Sequence, residues 1–287
     1  MSWINNVTAR LAYKLLRSVR LLNDLVQMRP EIKRSFDDPW DGQDQVALNE
    51  PFGAGRDAWR LFFDFGIMLS CFRKGNENRR VLDLACGTGW ISEWLARMGL
   101  DVSALDVDAK AEKILSLRLQ ADRRIQNASC KFETGDAHVL PYPGSYFGHV
   151  CCFDSLHHMH DYRRVLSEIF RVLEKGGRAI FVEPGAKHSS SAETIAFLEK
   201  YKKDLPPTWI ERDVVLDEIL ELSNEIGFSS LRLRPIVWPT LFDWSIDDLK
   251  SFESSSSRIA DGNFRDRHCE VVSDFTRNSR IVFVLEK

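Results

Sequence analysis

The sequence predicts an α/β fold: a doubly wound, seven-stranded sheet whose last strand runs antiparallel, preceded by an N-terminal helical extension. Three observations predict it. From residue 80 to 182, short β-favouring runs alternate with helical patterns, the rhythm of a parallel sheet with helices on both faces. A glycine turn, Cys86 to Gly89, directly follows the first of these runs. The runs at 230–236 and 280–285 have no obvious crossover helix between them, so they are most simply an antiparallel pair at one sheet edge.

Composition agrees with this class. A chain of 287 residues is long for one compact unit and short for two. With 44% hydrophobic and 28% charged residues, it can bury a sizeable core and stay in solution. The net charge of -3 gives no global attraction to nucleic acid. No apolar run approaches the ~20 residues of a membrane-spanning helix. The six cysteines form no CxxC pair, so buried free thiols in a reducing, cytoplasmic compartment are expected.

Residues 1–75 read as an extension or cap. Ile4, Val7, Leu11, Leu15, Leu22 and Val26 recur at helical spacing, interleaved with Arg10, Lys14, Arg17 and Arg20. Charges interrupt the apolar face, which argues against a secretory signal. A transit peptide or a helix lying on a membrane surface is an alternative. An ordinary packed helix is favoured, because Pro30, Trp40, Phe52, Trp59, Phe62, Phe63 and Phe65 continue without a cleavage-like break. Residues 76–238 form the core. Within it strands are expected at 81–84, 102–105, 130–133, 149–153, 178–182 and 230–236, with helices at 90–98, 109–124, 161–173 and 214–226. Gly99, Gly176-Gly177 and Gly227 stop helices. The polar, Ser-rich stretch 239–279 reads as an insertion or lid, and 280–287 supplies the last strand. Both flanking segments are expected to cover the carboxyl-end face of the sheet.

The turn from Ala85 to Gly89 sits where open α/β sheets bind ligands. Glycines at 87 and 89 let a ligand approach the backbone. The dinucleotide fingerprint wants a third glycine where this chain has Ser92. Asp83, on the strand itself, suits a cationic amine better than a pyrophosphate, which it would repel. Asp106 ends the second run, where an acid accepts hydrogen bonds from ribose hydroxyls. Gly135-Asp136-Ala137 follows the third run, and its carboxylate is placed for an exocyclic adenine amine. Amine, ribose and adenine together describe an adenosyl amino acid without phosphates.

At these residues the sequence resembles a known family. Val81-Leu82-Asp83-Leu84-Ala85-Cys86-Gly87-Thr88-Gly89 is similar to the first motif of class I S-adenosylmethionine-dependent methyltransferases. Asp106 resembles the family's ribose acid and Asp136 its adenine acid. His149-Val150-Cys151-Cys152-Phe153-Asp154-Ser155-Leu156-His157-His158 resembles its fourth-strand motif. The likeness covers about residues 78–185, with Trp90 a bulky departure. It implies a Rossmann-like fold, S-adenosyl-L-methionine as cofactor, and Asp83, Ala85, Cys86, Gly87, Thr88, Gly89, Asp106, Val107, Asp136, Ala137 and Asp154 as cofactor-binding residues. A weaker likeness, through Val182-Glu183-Pro184-Gly185-Ala186-Lys187-His188-Ser189 and Glu211-Arg212-Asp213, is to methyltransferases of bacterial surface-sugar biosynthesis.

Transfer of a methyl group to a hydroxyl or amine calls for a base near the methyl. His158, or failing that His157, is the expected base, beside His160 and Asp161. Caps or loop packing are the structural alternative, and Glu183 and His188 stand in reserve. No metal site is expected, since adjacent histidines point apart. Trp209, Trp238, Phe242 and Trp244 are candidates for an acceptor pocket or for plain core. The expected acceptor is a small or carrier-linked, possibly sugar-containing molecule, not nucleic acid. A regulatory or scaffold protein that binds cofactor without turnover is the rival reading, and a nicotinamide dehydrogenase a weaker third.

Overall fold

The computed structural model describes residues 48–52, 58–73, 75, 77–121, 129–203, 205, 209–234 and 280–287. The basic helix expected at 2–28, the insertion at 239–279 and the aromatics Trp238, Phe242 and Trp244 lie outside them.

A helix α1 (Ala58–Ser70) leads into β1 (Arg80–Leu84), α2 (Trp90–Arg97), β2 (Asp101–Asp106), α3 (Lys110–Ala121) and β3 (Cys130–Thr134). After these come β4 (Phe147–Phe153), a 3-10 turn (Leu156–His158), α4 (Tyr162–Val172) and β5 (Leu173–Pro184). The chain continues through α5 (Ala192–Tyr201), α6 (Leu216–Ile226) and β6 (Ser230–Arg234), and β7 (Arg280–Glu286) completes the sheet. The strand order is β3-β2-β1-β4-β5-β7-β6. The first five strands in that order, β3, β2, β1, β4 and β5, pair in parallel, and β7 runs antiparallel to both β5 and β6. The antiparallel pair therefore lies at one sheet edge, as expected, with β6 outermost and β7 between it and β5.

Alternation along the strands sorts side chains onto two faces. Leu82, Leu84, Val150, Cys152, Phe181 and Phe283 pack with α4 and α6 through Val165, Leu166, Ile169 and Ile219. Val81, Cys151, Ile180, Val182, Val282 and Val284 face α1 and α2, meeting Leu61, Phe65, Met68, Ile91 and Leu95. Phe181 and Phe283 stack at 4.6 Å across the β5–β7 pair, directly opposite each other in the ladder. Residues Ala58–Ser70, placed by the sequence in the N-terminal extension, thus belong to the helical layer of the core.

Element ends follow local chemistry. Asp161 caps α4, its carboxylate accepting from Arg164 N at 3.0 Å, and Gly227 ends α6 in the left-handed region at φ 103. Helix α5 has no counterpart in the sequence reading; Ser191 caps it by accepting from Thr194 N. Strand β5 starts earlier than the apolar run, at Leu173, because it picks up Phe147 across an irregularity in the β4 ladder.

Candidate active site

The turn between β1 and α2 is built for close approach. Ala85 and Gly87 take positive φ values of 56 and 52, and a Cβ on Gly87 would meet nothing within 4 Å. That open space lies above the turn. Gly89, at φ 73, is small for a different reason: a Cβ there would come within 2.8 Å of Leu115 Cδ1 on α3. Gly87 N donates to Asp106 Oδ2 at 2.8 Å and Asp108 N to Asp106 Oδ1 at 2.9 Å, so the ends of β1 and β2 are tied together at the crevice. The carboxylate keeps lone-pair capacity for a further donor. Thr88 Oγ1 donates to the carboxylate of Glu50, which brings residues 48–52 to this turn. Cys86, within the turn, and Ala137, after β3, are buried, and Val107 is half-buried.

The acids sit differently from one another. Asp83 belongs to the α1–α2 face: it is 2% exposed and accepts from Ser92 Oγ at 2.5 Å. Its carboxyl therefore lies beneath the turn, not at its rim. Burial pushes its pKa from 3.8 up to about 7, against the Ser92 hydrogen bond and with help from the charge of Asp106. Asp106 is also raised, chiefly by burial. Asp136 Oδ1 is engaged by His138, through its N–H at 2.9 Å and its ring Nδ1 at 2.6 Å. Burial there is outweighed by His138, and the carboxyl is lowered. No Lys or Arg side chain bonds Asp83 or Asp106 among the described residues. An open, glycine-floored crevice with acids and no such base fits a cationic, phosphate-free adenosyl ligand.

Asp154, at the end of β4, has φ 50, a strained position for a residue with a side chain. Its carboxylate pairs with Arg280 and, at 3.4 Å, with Arg60. Burial favours the neutral acid, but Arg280 and Arg60 overcome it and hold the pKa near about 2. Arg280 also donates to the fully buried Asp64 at 2.7 Å. The Asp154 side chain, expected at the cofactor, is thus committed to a four-residue ion cluster that joins α1, β4 and β7.

Beyond Asp154, Ser155 Oγ donates to Ala85 O at 3.3 Å, so the histidine turn starts at the cofactor crevice. His157 is buried, with Nδ1 on Glu183 Oε2 at 2.8 Å and Nε2 3.5 Å from Glu211 Oε2. Burial would lower its pKa, but the hydrogen bond and charge of Glu183 raise it. His158 Nδ1 lies 3.0 Å from Ile210 O, an arrangement in which the ring nitrogen must donate. Burial and the neighbouring His157 lower its pKa. The two rings touch at 3.9 Å, and His158 also meets Trp209 at 4.5 Å. His188 Nε2 joins Glu211 Oε2 at 2.8 Å.

The structure therefore brings together His157, His158, Glu183 and His188. His160 stays at the surface, its carbonyl accepting from Arg212. Arg60, Asp64 and Arg280 carry no functional motif in the sequence, and Glu211 stands there only within Glu211-Arg212-Asp213. An acid two residues from Trp209 was the available signal for Glu211. Nothing local marks Arg280, whose partners are 126 and 216 residues away.

With this geometry in place, comparison with known proteins gives a consistent picture. Residues 82–181 match the family described as "Methyltransferase domain". The demethylmenaquinone methyltransferase of Deinococcus radiodurans is 36% identical over 105 residues, 37% of this chain and 43% of that protein. Methyltransferase GfsG of Streptomyces halstedii is 34% identical over 186 residues, 58% of this chain and 64% of that protein. The chain thus spans less than two thirds of either relative. The structure of Haemonchus contortus phosphoethanolamine N-methyltransferase 2 with S-adenosyl-L-methionine shares the fold, with a TM-score of 0.59 and 17% identity over 89% of this chain and 60% of that one. The matched motifs, the mixed seven-stranded sheet and the acid-lined glycine crevice agree: residues 82–181 match a methyltransferase domain, set in the fold of class I S-adenosylmethionine-dependent methyltransferases.

Proposed function

We propose that the protein transfers a methyl group to a small, hydroxyl-bearing acceptor, with His158 as the proton acceptor. Bound S-adenosylmethionine supplies an electrophilic methyl group on a sulfonium. Gly87 leaves room for it at the turn, Asp106 accepts from its ribose hydroxyls, and the buried carboxyl of Asp83 favours a cation overhead. One observation carries the assignment of the base. His158 Nδ1 is used on Ile210 O, so its Nε2 keeps a lone pair and can take the acceptor's proton. Glu183 holds His157, and with it the turn, in place. A rim of imidazoles and carboxylates beside Trp209 suits a polar acceptor such as a sugar hydroxyl, in keeping with the surface-sugar likeness around Glu183, His188 and Glu211.

A general base contributes about 10²–10⁴ in rate. His158→Ala should lower turnover by that factor while leaving affinity for S-adenosylhomocysteine nearly unchanged. The assay is methyl transfer to a panel of hydroxylated sugars and quinols, with calorimetry for cofactor affinity. Full turnover in the variant would remove His158 from the reaction. Tight cofactor binding with no turnover on any acceptor would favour a cofactor-binding regulatory protein.

A further inference from the structure

Three side chains from three separate segments converge beside the histidine turn: His157 after β4, His188 after β5, and Glu211 ahead of α6. One ligand atom from each lies within 4.8 Å of the other two. We propose that His157 Nε2, His188 Nε2 and a Glu211 carboxylate oxygen bind a divalent transition-metal ion, in a two-histidine, one-carboxylate site. This assignment does not depend on whether His158 is the base.

The donor set sets the class of ion. Two imidazoles and one carboxylate suit zinc, iron(II), cobalt(II) or manganese(II), whereas magnesium and calcium favour oxygen ligands throughout. Every ligand is also held from behind, through an atom the metal would not use. His157 Nδ1 meets Glu183 at 2.8 Å, His188 Nδ1 meets Thr194 Oγ1 at 3.2 Å, and Trp209 Nε1 donates to Glu211 Oε1 at 2.8 Å. Glu183 is itself fixed by Ser155 N at 3.1 Å and Leu156 N at 2.9 Å. A carboxylate behind a ligating histidine fixes the ring and raises its basicity. In the sequence, His157 and His158 were weighed against each other as neighbours; the fold pairs His157 with His188 instead.

Charge and geometry agree. The Glu183 and Glu211 side chains are 0% and 6% exposed, and their ion-pair partners among the described residues are imidazoles alone. Two buried carboxylates without Lys or Arg leave room for a dication. Bonds of ~2.0–2.2 Å in a tetrahedral site put neighbouring ligand atoms about 3.4 Å apart. Glu211 Oε2 already lies 3.5 Å from His157 Nε2 and 2.8 Å from His188 Nε2, so a slight widening of one pair and closure of the widest completes the shell. Three protein ligands leave a position for water or a substrate oxygen.

The test uses cobalt(II) chloride added to chelator-treated full-length protein, followed by visible absorption and calorimetry, with circular dichroism confirming that each variant is folded. The expected result is one cobalt per chain with the d–d bands of a low-coordinate nitrogen–oxygen site. His188→Ala and Glu211→Gln should each weaken binding by a hundredfold or more. Glu183→Gln should weaken it about 10–100-fold, and His160→Ala should leave it unchanged. Absence of cobalt bands in the wild type would overturn the proposal and leave a hydrogen-bonded imidazole–carboxylate network. Binding that persists in both His188→Ala and Glu211→Gln, or thiolate charge-transfer bands marking a cysteine site, would overturn it equally.

Discussion

Replacing Asp83 by Asn should stabilise the protein, and by an amount that grows with pH. The Asp83 carboxyl is 2% exposed and lies on the sheet face covered by α1 and α2. Burial raises its pKa from 3.8 to about 7. Below about pH 4 both folded and unfolded states hold the proton, and the native state loses nothing. Between there and pH 7 the unfolded chain ionises first, so stability falls as pH rises, by about 1.4 kcal/mol per pH unit. Above pH 7 the folded carboxyl is ionised too, and the loss levels off at about 4 kcal/mol. Asn is close in size, can accept the Ser92 hydrogen bond through its carbonyl, and does not titrate. Urea unfolding should therefore find Asp83→Asn more stable than the wild type by about 2 kcal/mol at pH 5 and about 4 kcal/mol at pH 8. The same variant should bind S-adenosylmethionine more weakly, a trade of stability against function. Equal differences at the two pH values, or a destabilised variant at pH 8, would refute this account of the buried acid.

Three further substitutions probe the site's frame. Asp106→Ala should weaken S-adenosylhomocysteine binding by about 1.5–3 kcal/mol in calorimetry, and a change within error would remove Asp106 from the ribose. Gly89→Ala puts a methyl 2.8 Å from Leu115 Cδ1 at a positive φ, so it should cost about 1–3 kcal/mol in denaturant unfolding; a neutral result would mean that α3 yields freely. Arg280→Met strips the buried Asp64 of its 2.7 Å partner and should cost about 3–5 kcal/mol. Adding Asp64→Asn should recover most of that loss, and no recovery would show that packing, not charge, is what Arg280 provides.

The parts of the protein written in contiguous residues were legible in the sequence. Val81 to Gly89 carries its own strand, turn and helix start, and the alternation of Ile281, Phe283 and Leu285 with Val282 and Val284 marks a strand buried on both faces. What escaped depends on contacts between distant segments. Helix α5 is weakly amphipathic and rests on the Ser191 cap. Whether Asp83 faces the ligand or the helices is a question of strand register, which Ser92 answers only once α2 is folded back. The Asp154 carboxylate was expected at the cofactor because it ends a strand, but its φ of 50 and Arg280 turn it into an ion cluster. His157 and His158 were grouped as neighbours, yet one ring serves Glu183 and the other Ile210.

The placing of β7 between β5 and β6 bears on the order in which the molecule assembles. The partner of Arg178 in β5 is Glu286, so the outer side of β5, away from β4, is completed only by residues made about a hundred positions later, a long-range closure of the kind that folds slowly. Until then β5 presents unpaired backbone groups that another chain could engage. The late strand is fastened at both ends: Lys287 Nζ donates to Phe170 O and Leu173 O at 2.7 Å, and Arg280 joins Asp154 and Asp64 at the crevice. Docking of β7 thus delivers the cation that pairs with Asp154, at the foot of the histidine turn. The last strand to be made is therefore the one that brings Arg280 to Asp154 and Asp64, tying the far end of the chain to the segment beside the glycine crevice.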